Sequence, residues 1–267
     1  MLSKKNSILA VSILLSSMLM MVACQISESA DNEVNYDQKL EGSEVNIDKN
    51  FKKDAVEAIK GDIIKDIRNS YEKEDLDGLL PIVVLRIVGV KDKGNFHAVF
   101  ANVNTNLFSF EDGVFTDESG SAYPVRYDLF KDFSIKKVHE AKDGGLFTDS
   151  ILELTENDKE LSNKLLESQN SYPAVYKDIL AELKNEAKAS GLKNYYHKIN
   201  KIPGYESNVV KIKEKKINGL TYVIKNDEYE KIKDNRKNKD NKKYLFAPCV
   251  LHDEATGITI STIYSEQ

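Results

Sequence analysis

Four histidines, His97, His139, His197 and His252, and the carboxylates Asp112, Asp117 and Glu118 are side chains in this 267-residue chain whose types could do chemistry. Histidine beside a carboxylate can move a proton or hold a metal. The histidines are far apart in sequence and follow neither the His-Glu-x-x-His nor the paired-cysteine spacing of a zinc site. His97 and His139 fall in predicted strands, where one sheet could bring them close, though surface or sheet-face positions are the plainer reading. Asp112, Asp117 and Glu118 could offer oxygen ligands to Ca²⁺ or a carboxylate pair for acid/base work. Their spacing misses the alternating ligands and central glycine of a calcium loop, and turn formation explains them as well. Ser119-Gly120-Ser121 is not a nucleophile elbow, and no Walker loop or dinucleotide fingerprint occurs. No cofactor is implied.

The N-terminus carries a different chemistry. Lys4 and Lys5 precede an apolar run from Ile8 to Val22, and Met21-Val22-Ala23-Cys24 resembles the lipobox of bacterial lipoproteins. That resemblance implies export, removal of residues 1–23 as a signal peptide, and a diacylglyceryl group on the Cys24 sulfur. The mature protein would then sit on the extracytoplasmic side of the cell membrane. An ordinary signal peptide or a single transmembrane helix is the competing reading. A span needs about 20 consecutive apolar residues, whereas this run is short and interrupted by Ser12, Ser16 and Ser17. Loss of Lys4 and Lys5 leaves 36 basic against 43 acidic residues and a formal net charge of −7. A mildly acidic body argues against nucleic acid as the partner. With Cys24 lipidated, Cys249 has no partner, and its apolar setting, Phe246-Ala247-Pro248-Cys249-Val250-Leu251, suits a small buried hydrophobe more than a reactive thiol.

Aromatic residues and lysines give two weaker candidates. Phe108, Tyr123 and Tyr127 belong to an aromatic-rich sheet region and could line an apolar pocket, or simply pack against a helix. Lysines between Lys231 and Lys243 could meet anionic wall polymer or lipid headgroups, or form a solvated tip.

Around these residues the chain reads as α+β. Residues 24–50 form an acidic, aperiodic tether of about 28 Å root-mean-square reach if it behaves as a flexible coil. Phe51, Ala55, Ile59, Ile63 and Ile67 recur every four residues, the stripe of an amphipathic helix. Gly61 interrupts it, which a close packing contact would explain. Residues 80–140 alternate as strands, with turns expected at Lys91 to Asn95, Glu111 to Gly113, Asp117 to Gly120 and Asp128 to Asp132, so a curved antiparallel meander is expected. Two helices follow, one opened by an Asn157/Glu160 capping box and one by Pro173. These complete a unit over 51–190. The segment 191–267 reads as β-rich and could pack on that unit, with an Asn218-Gly219 hairpin and a polar loop over Asn226 to Lys243.

The helix-then-sheet order, with Thr116 to Pro124 and Asp143-Gly144, resembles cystatin-like or nuclear-transport-factor-2-like lipoproteins of low-GC bacteria, across residues 51–170 at most. The likeness implies a helix packed into a bent sheet around an apolar cavity. The expected role is a non-enzymatic binding or interaction module of the envelope, with a small molecule, wall polymer or protein as partner. The alternative is an envelope enzyme whose site is assembled from His97, His139 and nearby carboxylates.

Overall fold

The computed structural model describes residues 49–71, 76–170, 172–192, 196, 198–215, 217–236 and 246–265. Residues 1–23, expected as a signal peptide, Cys24, the expected tether up to residue 48, His197 and the lysines from Lys237 to Lys243 lie outside them. The fold is α+β, with eight strands in one mixed sheet and five α-helices among the described residues.

Helix α1, Lys49–Ser70, forms where the four-residue apolar repeat predicts it. Its buried stripe of Ala55, Ile59 and Ile63 packs on Val83, Val99, Ala101, Val103, Val125 and Leu129. Those partners come from β1, Leu79–Asp92, β2, Phe96–Glu111, and β3, Val114–Phe130. Strand residues two apart share a face, so the odd positions of β2 and β3 here meet α1. The even ones face the other way: Ala98 and Phe100 pack on α2, Phe147–Leu154, and α3, Lys159–Asn170.

Strands β2 and β3 form one long hairpin, closed at Asp112 and Gly113 with φ of 50° and 80°, the paired positive values of a type I′ turn. The turn expected over Asp117 to Gly120 is absent, because those residues continue β3. Cross-strand polar pairs hold them there. Thr105 Oγ1 meets Ser121 Oγ at 2.7 Å, Asn106 Nδ2 donates to Asp117 at 2.9 Å, and Ser109 Oγ donates to Glu118 at 2.6 Å. A Cβ at Gly120 would stand 2.6 Å from Asn106 Nδ2, so a larger residue there would displace the Asn106 side chain from Asp117. Strand β4, Ile135–Glu140, pairs with the far half of β3. The capping residue of α3 is Asp158, whose Oδ1 accepts from Leu161 N at 3.1 Å. The expected cap, Asn157, stands one residue earlier in left-handed backbone at φ 61°.

The C-terminal strands β5, Val209–Lys213, β6, Leu220–Lys225, β7, Phe246–Asp253, and β8, Thr259–Ser265, extend the same sheet in the order β1-β2-β3-β8-β7-β6-β5. Within residues 80–140 the strands pair antiparallel as expected, whereas β8 joins β3 in parallel through Phe115↔Ile260 and Thr116↔Ser261, which makes the sheet mixed. Asn218-Gly219 does join two strands, but they end at Lys213 and resume at Leu220, because Ile217 is drawn into the core. The polar loop expected from Asn226 begins instead as helix α5, Asn226–Arg236, whose Ile232 is buried with Ile224, Ala247 and Cys249. Helix α4, Tyr172–Ala189, lays Val175, Ile179, Leu180 and Leu183 across Ile82, Phe108, Phe115, Leu220, Leu251 and Ile260. Residues on either side of position 191 therefore share one core.

Gly61 lies on the exposed side of α1, and a Cβ placed there would meet nothing within 4 Å, contrary to the close contact expected of it. Gly61→Ala should raise stability by about 0.5–1 kcal/mol, because alanine restricts the unfolded chain and suits a helix interior. A denaturant midpoint that is unchanged or lowered would contradict the exposed, unobstructed position.

Candidate functional site

Arg126 and Asp128, two residues apart in β3, share the face opposite α1, where both are almost fully buried. The guanidinium Nε donates to Asp128 Oδ1 at 2.7 Å, and Nη1 donates to Glu156 Oε1 at 2.8 Å. Lys93 donates to the other oxygen of Glu156 at 2.6 Å. Arg126 also lies 5.7 Å from the Phe100 ring centroid, within cation–π reach. Burial works against the Arg126 charge, but the carboxylate bonds outweigh it and hold the proton more tightly than water would. Glu156 occupies left-handed backbone at φ 59°, a conformation that its ion pairs help to retain.

His139 in β4 is the register partner of Arg126, and its Nε2 stands 3.4 Å from Asp128 Oδ2. Arg126 and His139, with Glu140, Lys142, Ser150, Glu153 and Leu154, line a cavity of about 140 Å³. Chemically this is a histidine beside a buried aspartate at the wall of a small polar cavity. Ser150 is already committed to local structure. Its hydroxyl donates to Phe147 O at 2.8 Å and accepts from Lys142 N at 2.9 Å.

His97 does not join His139. It lies on the α1 face, with its ring edge-on to Phe51 at 4.7 Å and its Nε2 3.2 Å from Lys131 Nζ. Loss of hydration, then the Lys131 charge, lowers its pKa. His252 is buried in β7 with Nδ1 3.0 Å from Thr259 Oγ1. Asp117 sits in β3, its carboxyl pushed up to about 6 mainly by lost hydration, against the bond from Asn106 and with help from Glu118. Because the residue still meets solvent, that titration moves stability little. Among the described residues no three His, Cys, Asp or Glu side chains converge as a metal would require.

The aromatic pocket expected from Phe108, Tyr123 and Tyr127 is divided between two faces. Phe108 packs edge-on to Phe115 beneath α4, whereas Tyr123 and Tyr127 pack beneath α1. Tyr127 donates to Asp62 at 3.2 Å. Burial, reinforced by Glu140, Asp66 and Asp62, pushes the Tyr123 phenol up to about 12. Phe108 therefore shares no pocket with Tyr123 and Tyr127. Cys249 is buried, and desolvation pushes its thiol up to about 12, which leaves it inert at neutral pH. Sequence reasoning missed Arg126 and Glu156, and it placed Asp128 in a turn, whereas β3 continues to Phe130. The available signal was opposite charge at Arg126 and Asp128, positions that share one face of a strand.

No helix among the described residues is long and apolar enough to cross a membrane. Comparisons with protein-family profiles, curated proteins and solved structures give no significant match.

The bonds from Lys93, and then those from Arg126, hold the Glu156 carboxyl below its ordinary value of 4.5. A depressed acid contributes stability that is complete above its unfolded pKa and lost as pH falls through the folded one. Glu156→Gln should therefore cost about 1 kcal/mol near neutral pH, discounted for the solvent that reaches it, and should flatten the loss of stability between about pH 5 and pH 3. Chemical denaturation across that range checks this, and an acid limb as steep as in the parent chain would contradict it.

Proposed function

We propose that this chain is a lipid-anchored module of a bacterial cell envelope that binds a partner without transforming it. The observation that carries the reading is the basic head, short apolar run and Met21-Val22-Ala23-Cys24 in succession. A diacylated cysteine supplies the two acyl chains that stable anchoring needs. Support also comes from the folded body. The buried Arg126 and Asp128 are engaged with each other, and Arg126 also with Glu156, an arrangement that stabilises structure.

A second reading has its own observation. The Asp128–His139 contact beside the 140 Å³ cavity is the arrangement from which proton-transfer chemistry on a small molecule would start. His97 has no part in it. In the cystatin-like or nuclear-transport-factor-2-like reading, the packing of α1 on the sheet is the feature in common, and it is an analogy of architecture alone.

Intact-mass analysis of the membrane fraction of bacteria producing the full chain tests the anchor. The expected species lacks residues 1–23 and carries a diacylglyceryl mass on Cys24, while Cys24→Ala yields an unmodified protein that leaves the membrane fraction. A parent chain that keeps residues 1–23, or that starts at an unmodified Cys24, would refute the envelope assignment.

A further inference from the structure

The edge of the sheet at β5 gathers ammonium groups on a chain whose net charge is negative. Lys211 and Lys213 alternate along β5 and are exposed, about 7 Å apart by strand geometry. Register places Lys211 opposite Val223 and Lys213 opposite Thr221, and sets Lys225 opposite Val209, on the same face. Above that face a 3-10 turn, Ile199–Lys201, is pinned by buried Ile199 and Ile202 against Val223 and Val250. The turn leaves Lys198 and Lys201 exposed, three residues apart and so on one side of it. Between turn and strand runs an open cleft of about 440 Å³, lined by Lys198, Ile199, Asn200, Lys211 and Glu254.

Elsewhere several cations are matched. Lys60, Arg86, Lys91, Lys93, Arg126 and Lys131 each pair with a carboxylate. Among the described residues none of Lys198, Lys201, Lys211 and Lys213 has a salt-bridge partner, while Lys225 lies 5.5 Å from the Tyr205 ring centroid and within electrostatic reach of Glu206. Edge-strand lysines also prevent strands from pairing between molecules. That role explains Lys211 and Lys213 but leaves unexplained Lys198 and Lys201, which lie off the strand across the cleft.

We propose that this cleft is a docking groove for a linear phosphate polymer, whose charges recur along a line as the lysines do. The assignment rests on the envelope-binding reading and names its partner class. Lysine is a point-charge donor that tolerates a flexible phosphate chain without demanding one geometry. Binding would therefore be electrostatic, weakened by salt as counterions return to the polymer. Glu254 on the cleft wall opposes the ligand and moderates affinity.

Long-chain inorganic polyphosphate, added to the full chain in detergent at low and moderate salt, is the probe, with binding read by sedimentation. The parent should bind. Lys211→Gln with Lys213→Gln should weaken binding about tenfold and make its salt dependence shallower. Glu254→Gln should tighten it about twofold, and the same double change at Lys52 and Lys53 on α1 should alter it less than twofold. Lys211→Arg with Lys213→Arg, which keeps the charge, should restore binding and so separate loss of charge from loss of fold. The proposal is overturned if the parent does not bind, if the α1 variant loses as much as the β5 variant, or if the arginine variant fails to bind while its thermal midpoint matches the parent. It is equally overturned if the parent binds vesicles containing phosphatidylglycerol but not polyphosphate, or if the glutamine variant gains only self-association. Cys24→Ala protein should still bind polyphosphate, so loss of the anchor and loss of the groove are distinguishable.

Discussion

Strand β3 is the constraint on which the rest of the molecule depends. One edge is paired with β2 along its length, while the other is divided between β4 and the parallel strand β8. The β8 ladder has two register pairs, too little to hold the C-terminal strands alone. What secures them is the core beneath α4, where Phe108 and Phe115 from one side meet Leu220, Leu251 and Ile260 from the other around Leu183. Each such side chain contributes about 1.5–3 kcal/mol on burial, so the hydrophobic seam outweighs the few backbone bonds that cross it. The seam also fixes the Arg126 cavity relative to the β5 edge.

The two polar features of the molecule differ in how their charges are answered. Around Arg126 each strong group has a partner of opposite sign, and the network ties β3, through Arg126, and the β1–β2 turn, through Lys93, to Glu156 in the loop between α2 and α3. Removing Arg126 would leave the buried Asp128 without its guanidinium partner, the condition in which burial is most costly. At β5 the lysines face solvent without carboxylate partners among the described residues, so their charge remains available to a ligand. The first arrangement stabilises the fold, and the second is suited to recognition. Overall negative charge and a local positive groove are compatible because screening in salt confines each field to about 8–10 Å.

Local periodicity made much of the fold legible. The four-residue spacing from Phe51 to Ile67 located α1, and the alternation in Phe96 to Asn104 located β2. What periodicity could not show was pairing at a distance. Asp117 to Gly120 carries turn-forming residues, yet Asn106, Ser109 and Thr105 on the neighbouring strand satisfy that polar stretch and keep it extended. Likewise Asn226 to Arg236 is polar throughout except for Tyr229 and Ile232, and packing of Ile232 against β6 and β7 secures the helix. The parallel register of β3 and β8 joins residues about 145 apart, beyond any local signal. For the site, His139 was identified but its partner was not His97, because an odd position on β2 faces away from the even positions of β3 that β4 matches.

A single rigid body would present the β5 groove in a fixed relation to α1. That geometry requires the two halves of the sheet to open together. Native-state hydrogen exchange through a denaturant series measures this most directly, comparing amides of β2 with amides of β7. The shared core predicts that both sets merge into one opening with the same free energy and the same denaturant slope, as expected of one cooperative unit. Exchange of β7 through a separate opening of lower free energy and shallower slope, with β2 still protected, would contradict it.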